Sequence, residues 1–319
     1  LSERLRQIVE RLRQAITRPR DELDRWQRAA RYLYDLGLTG LRQLRYDRAP
    51  QMAGELAFRT LFGLLPVMVV ATVLVKAFGM EQWFVEPLSN LLEAAGLGDV
   101  HVARTPEGTQ SESLNVWLQA NVIEATRLNL AAIGWVGFLV TAYAAIGLIV
   151  TIENSFNTIY RVQRGRPWTR RVPLYWFMLT VSPLVLVLGT FLNSRIQSIM
   201  AGVEVWPWVS NGASLAWSLF VLSFVMALFY SLMPNTNVHL RPAMAGAFVA
   251  AILLEVGKRS FGLFLGNAMS ISQLYGSLGL VPLFMFWVYL MWLVVLFGLE
   301  VSAILQTVQG RRFTPHGPQ

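Results

Sequence analysis

Residues 280–306 read LVPLFMFWVYLMWLVVLFGLEVSAILQ, with Glu300 as the single charged residue. An α-helix needs about 20 predominantly apolar residues to cross a bilayer core. Backbone polar groups cannot stay unpaired in hydrocarbon, so such a stretch is expected to be a helix. Five more stretches with few charges lie near 60–80, 128–152, 172–192, 213–233 and 243–265. The chain therefore reads as an all-α polytopic membrane protein with six transmembrane helices over 51–308. An amphipathic helical segment precedes them at 1–50, and a tail follows at 309–319. Within the body, the external loop 81–127 reads as two short helices around a polar middle from His101 to Ser113, a small periplasmic cap.

Composition and charge agree with this frame. Of 319 residues, 54% are hydrophobic and only 14% charged, against about a quarter charged in a soluble domain. Cysteine is absent, which excludes disulfides and thiolate chemistry. His101, His239 and His316 stand too far apart for a metal-ligand spacing. The formal charge of +8 is unevenly spread. Twelve arginines, from Arg4 to Arg48, precede the first span, whereas the first external loop has only Arg104 and Arg127 against seven acidic residues. The next internal loop holds Arg161, Arg164, Arg166, Arg170 and Arg171. Basic residues recur on alternate loops, which the positive-inside rule ties to the cytoplasm. Both termini are thus expected in the cytoplasm, a parity that six spans satisfy.

The first thirty residues are charged throughout and show no cleavable signal. The chain opens at Leu1 rather than methionine, which leaves room for residues upstream. Leu5, Ile8, Val9, Leu12 and Ile16 share one helical face in residues 1–17. A second amphipathic stretch runs from Glu22 to about Arg45, with Leu23, Trp26, Ala30, Leu33, Leu41 and Leu44 inward and breaks expected at Gly37 and Gly40. Such helices either lie on an anionic leaflet or pack beneath the bundle. Pro66 and Pro183 are expected to kink the first and third spans, which membrane helices tolerate. Trp168, Trp206 and Trp208 read as interfacial anchors.

Charges at membrane depth point to function. Glu255, Lys258 and Arg259 lie within the fifth apolar stretch, three and four residues apart, and so share one side of a helix. Each charge at that depth costs ~2.5–3.5 kcal/mol on insertion scales, so such residues are expected to face protein or water. Two readings stand for the trio. It is a pair-forming group that fixes helix register, or part of an anion-accommodating cavity. Gly246, Ala247, Ala250 and Ala251 form a neighbouring stripe on which another helix can come close. Glu55 and Arg59 lie one turn apart at the mouth of the first span, and Lys76 lies toward its far end. Glu153, Asn154 and Asn157 stand where the second span leaves the membrane, and Glu300 in the inner third of the sixth. Together these groups would line a polar path. Tyr275, Gly276, Ser277 and Gly279, in YGSLGLVP (275–282), read as a turn or broken helix. No nucleophile–base spacing and no phosphate-binding glycine loop is present.

Four blocks resemble the YihY/BrkB family of bacterial inner-membrane proteins: GELAFRTLFGLLPVMVV (54–70), ENSFNTIYRVQRGRPW (153–168), LYSLMPNTNVHLRPAMAGAFVAAILLEVGKRSF (near 228–261) and YGSLGLVPLFMFWVYLMWLVVLFGLEVSAILQ (275–306). Glu153, Asn154, Asn157, Pro234, Asn235, Glu255, Lys258, Tyr275, Gly276, Ser277, Gly279 and Glu300 match the family's pattern; Glu55 and Arg59 depart from it. The resemblance implies six spans with both termini inside. Some members carry a ribonuclease BN label, which nothing in these residues supports. Others are linked to serum resistance or envelope lipid physiology.

The expectation for function is a non-enzymatic transporter or flippase-like protein for an anionic, lipid-related envelope substrate. Glu255, Lys258, Arg259, Glu153, Asn154, Asn157 and Glu300 would bind it. Pro66, Pro183, Tyr275, Gly276, Ser277 and Gly279 would supply gates or turns. Expected partners are membrane lipids and an anionic amphipathic substrate, without nucleic acid, cofactor or metal; oligomerisation stays open. The alternatives are a non-transporting scaffold for envelope assembly and, behind it, an ion channel.

Overall fold

A computed structural model describes residues 25–78, 101–103, 111–113, 131–162, 165–175, 207–267 and 280–313, with single helical positions at 177, 189, 192, 195 and 198. The described residues form six helices: α1 (Arg25–Tyr46), α2 (Ala49–Phe78), α3 (Ala131–Ile159), α4 (Pro207–Leu232), α5 (Leu240–Asn267) and α6 (Leu280–Phe313). Residues 168–175 add a further helical segment. Four helices contain stretches long and apolar enough to cross a membrane: Leu139–Ile159, Gly212–Leu232, Leu240–Phe261 and Pro282–Val308. Side chains on α2 beyond Gly63, most of the third expected span with Pro183, and Tyr275, Gly276, Ser277 and Gly279 lie outside the described residues. So do the amphipathic stretch 1–17 and the apolar clusters expected within 81–127.

Helix starts follow from proline chemistry. Pro207, Pro242 and Pro282 each fall in the first turn of α4, α5 and α6, where a missing N–H removes no helical bond. The α2 helix continues through Pro66. The polar middle of the 81–127 segment adds an element that helical periodicity does not announce. His101–Ala103 (β1) pairs antiparallel with Ser111–Ser113 (β2), with His101 opposite Ser113.

The α6 helix is the hub, lying against α1, α2, α3 and α5. Its approach to α5 is the tightest. A Cβ at Gly246 would stand 2.3 Å from the Gly298 carbonyl oxygen and 2.8 Å from Ser302 Cβ. Ala247, Ala250 and Ala251 are fully buried beside it, as small residues at a membrane-helix interface permit. On the opposite face, Met244, Phe248, Ile252 and Val256 are exposed at four-residue intervals. This is a lipid-facing stripe, with polarity inverted relative to a soluble helix. The α6 helix also reaches α2, where Trp292 Nε1 donates to Thr60 Oγ1 at 3.1 Å.

The α1 helix differs in detail from its sequence reading. It runs unbroken through Gly37 and Gly40. Gly40 is buried because the Phe297 ring occupies its flank, 3.0 Å from where a Cβ would stand. Leu44, one turn on, is buried with it, whereas Leu41 is 54% exposed. The missing side chain at Gly40 thus defines the inner face, and a pattern scored on large apolar residues places Leu41 wrongly.

Candidate functional site

At the arginine-rich end of the bundle the chain buries a polar node. Glu153 on α3 is wholly buried. Its Oε1 accepts from the Arg166 backbone N–H at 3.3 Å and from Arg171 Nε at 3.3 Å. Arg171 Nη2 lies 3.2 Å from the same oxygen, and the Tyr175 hydroxyl donates to Oε2. Arg171 also lies over the Trp168 ring, 5.3 Å from its centroid, a cation–π contact. A Cβ at Gly165 would stand 2.7 Å from Arg171 Nη2, so the glycine leaves the space the guanidinium uses.

Arg166 closes the end of α4. Its Nη1 donates to Leu232 O at 2.9 Å, Nη2 to Pro234 O at 2.8 Å and Nε to Asn235 Oδ1 at 3.2 Å. The last carbonyls of a helix lack intrahelical donors and carry partial negative charge, so a guanidinium fork suits them. Asn157 completes the tie. Its Oδ1 accepts from the Asn235 backbone N–H at 2.7 Å, while its own carbonyl accepts from Val162 N at 2.8 Å. With Arg161 N bonded to Thr158 O at 3.0 Å and Arg161 at φ 56°, α3 ends in a Schellman turn. A left-handed residue is needed there, and arginine replaces the usual glycine.

Beyond this node, Tyr160 and Ser302 share a hydrogen bond at 2.7 Å. Burial pushes the Tyr160 hydroxyl up to about 12; the bond with Ser302 opposes the rise and negative charge at Glu300 adds to it. Tyr230 donates to Val295 O at 2.6 Å. Glu300 is 2% exposed.

Of the residues singled out from sequence, Glu153, Asn157 and Glu300 are buried at this end. Asn154 is exposed, because one residue turns a helical side chain by about 100° from Glu153. Glu255 is engaged by its own helix. Lys258 Nζ lies 2.8 Å from Oε2, an ion pair by distance that lacks hydrogen-bond alignment. Arg259 Nε donates to Oε1 at 3.4 Å. The Arg259 side chain is 65% exposed, against 12% for Glu255. Glu55 and Arg59 pair at 3.0 Å with both side chains substantially exposed. Arg166, Arg171, Tyr175, Asn235, Tyr160 and Ser302 were not anticipated as site residues. The arginines count from sequence only toward charge distribution, and no local spacing links them to Glu153.

The sequence profile described as Virulence factor BrkB matches residues 41–319. This chain belongs to the BrkB family. Among its relatives, a UPF0761 membrane protein of Chromobacterium violaceum is 32% identical, the match covering 84% of this chain and 62% of that protein. One from Ralstonia nicotianae is 30% identical over 84% of this chain and 58% of the relative. One from Pseudomonas paraeruginosa is 33% identical over 79% and 58%. This BrkB-family chain spans about three fifths of the length of the relatives it matches. No solved structure matches it.

Proposed function

We propose that this chain is a multi-pass protein of the bacterial inner membrane, with both termini cytoplasmic, that moves an anionic, lipid-related envelope substrate in the manner of a flippase. One observation carries the reading. A single carboxylate, Glu255, serves two cations within an apolar span, which leaves one surplus positive charge. That surplus sits on Arg259, which continues the exposed face of Ile252 and Val256. A cation kept on a lipid-facing stripe is costly, and an anionic headgroup pairing with it offsets that cost. In this reading Lys258 and Arg259 draw the headgroup, and Glu255 holds them between substrates. Glu153, Asn154, Asn157 and Glu300 shape the inner end. Pro66, Pro183 and the turn of Tyr275, Gly276, Ser277 and Gly279 permit the helices to move.

The test reconstitutes the full chain in vesicles and follows fluorescent anionic and zwitterionic lipids across the bilayer. Transfer of the anionic lipid is expected to fall at least tenfold in the Lys258→Ala/Arg259→Ala double variant. Equal rates for wild type and variant would defeat the proposal.

A second reading, a scaffold for envelope-assembly partners, is favoured by the engagement of Glu255 within its own helix, as a fixed register pair would show. Removing residues 1–24 discriminates between them, since a scaffold recruiting through its basic terminus loses function and a flippase keeps it. The truncation stops there because α1 belongs to the core through Gly40 and Leu44.

A further inference from the structure

Glu300 presents a problem in chemical accounting that the polar node around Glu153 does not solve. Its Oε1 is buried and meets no hydrogen-bond partner among the described residues, and the negative group acting on it most strongly is the carboxyl of Asp47. An ionised carboxylate only accepts, so two ionised carboxylates cannot bond each other. Two neighbouring carboxyls at a buried site call for a cation between them. Burying two bare negative charges side by side would be far costlier, and paired carboxyl groups respond by retaining one proton.

The surroundings fix how much positive charge is needed. From the end of α3, Arg161 is the cation among the described residues that acts on Glu300, and Tyr160 approaches through its bond to Ser302. From the α1–α2 turn comes Asp47. From α4, Tyr230 is occupied with Val295 O. The α5 helix meets this part of α6 with Gly246 and Ala250 packed on Gly298 and Ser302. Asp47, Glu300 and Arg161 sum to minus one when both carboxyls are ionised, and to zero when the pair holds one proton. Asp47 is half-buried, between exposed Tyr46 and Arg48, and so links Glu300 to solvent. Arg48 and Arg161, the left-handed non-glycine residues of the described chain, adjoin Asp47 and Tyr160. The turns that deliver these groups thus use a backbone conformation that side chains other than glycine rarely adopt.

We infer that Asp47 and Glu300 form a proton-binding site at the arginine-rich end of the bundle, with Glu300 as the buried terminus and Asp47 as the port to water. The site is independent of the proposed substrate and would exist in a scaffold as well. In a carrier it supplies an ion to which transport can couple.

Infrared difference spectroscopy of the full chain in lipid nanodiscs tests this, reading the carbonyl band of protonated carboxyl groups. At neutral pH the wild type is expected to show a buried protonated carboxyl that is lost on alkalinisation. Glu300→Gln is expected to abolish it, and Asp47→Asn to shift its frequency, because the neighbouring group changes. Asp47→Asn lies at a turn and keeps the test decisive if Glu300→Gln fails to fold. A carboxyl region identical in wild type and both folded variants would overturn the site. A band that persists when sodium chloride replaces choline chloride at constant pH supports the proton. Loss of the band in sodium would overturn the proton assignment in favour of a metal cation.

Discussion

Glu153 and Glu255 are both carboxylates on helices built to cross a membrane, the first paired with the Arg171 guanidinium and the second with Lys258 and Arg259, and they are held in different ways. The donors to Glu153 come from 13, 18 and 22 residues away in sequence. The same segment reaches on through Arg166 to the end of α4. Among the described residues, Glu255 is met three and four residues along its own helix. The first arrangement fastens α3, the 165–175 segment and the α4–α5 connection together. The second fastens no other described element to α5 and leaves a cation facing outward. A carboxylate thus serves opposite ends, a rigid joint at one end of the bundle and an unspent positive charge beside it on a lipid-facing surface.

The sharpest way to break this contrast is Glu153→Ala. Removing one partner of a buried ion pair leaves the other uncompensated, and the expected loss is about 3–5 kcal/mol of stability, read from denaturant-induced unfolding in detergent micelles. An unchanged midpoint would mean that the arginines find water or other acceptors and that the node is no joint. Next in size is Arg166→Lys. Charge is kept, but an ammonium does not reproduce the planar fork that reaches Leu232 O, Pro234 O and Asn235 Oδ1. A loss of about 1.5–3 kcal/mol is expected, the worth of hydrogen bonds to a charged group. Full stability in the lysine variant would show that charge at the end of α4 suffices. The smallest effect belongs to Arg259→Ala, which leaves Glu255 paired with Lys258. Stability is expected to stay within about 0.5 kcal/mol of wild type, and a larger loss would mean that the guanidinium braces another part of the protein.

Much of the architecture is legible from hydropathy. The cores of α3, α4, α5 and α6 fall where apolar runs with few charges place them, because hydrocarbon admits no other backbone state for such runs. The extensions are less legible. The α2 helix begins at Ala49, well before its apolar stretch, since Ala49, Ala53, Leu56 and Ala57 bury a face against the bundle. The α3 helix continues to Ile159, carrying Glu153 and Asn157 inward. Gly40 shows the limit of pattern reading most plainly. A glycine scores as a break in a periodicity, and here it is the point of closest contact with Phe297.

Composition and hydropathy place this chain among membrane proteins, and the order of its four sequence blocks is enough to suggest its family. Both depend on short-range properties: how many apolar groups follow one another, and which residues stand at which spacing. The partners of Glu153 and Glu300 depend on something else. They are brought together by helix ends and turns, at Arg161, Gly165 and Arg48, whose direction follows from packing among five elements. A carboxylate in a sequence looks the same whether its counter-charge lies one turn away or across the bundle. Three-dimensional assembly distinguishes the two, because burial makes an unmatched charge costly and leaves a folded chain few places to find its match.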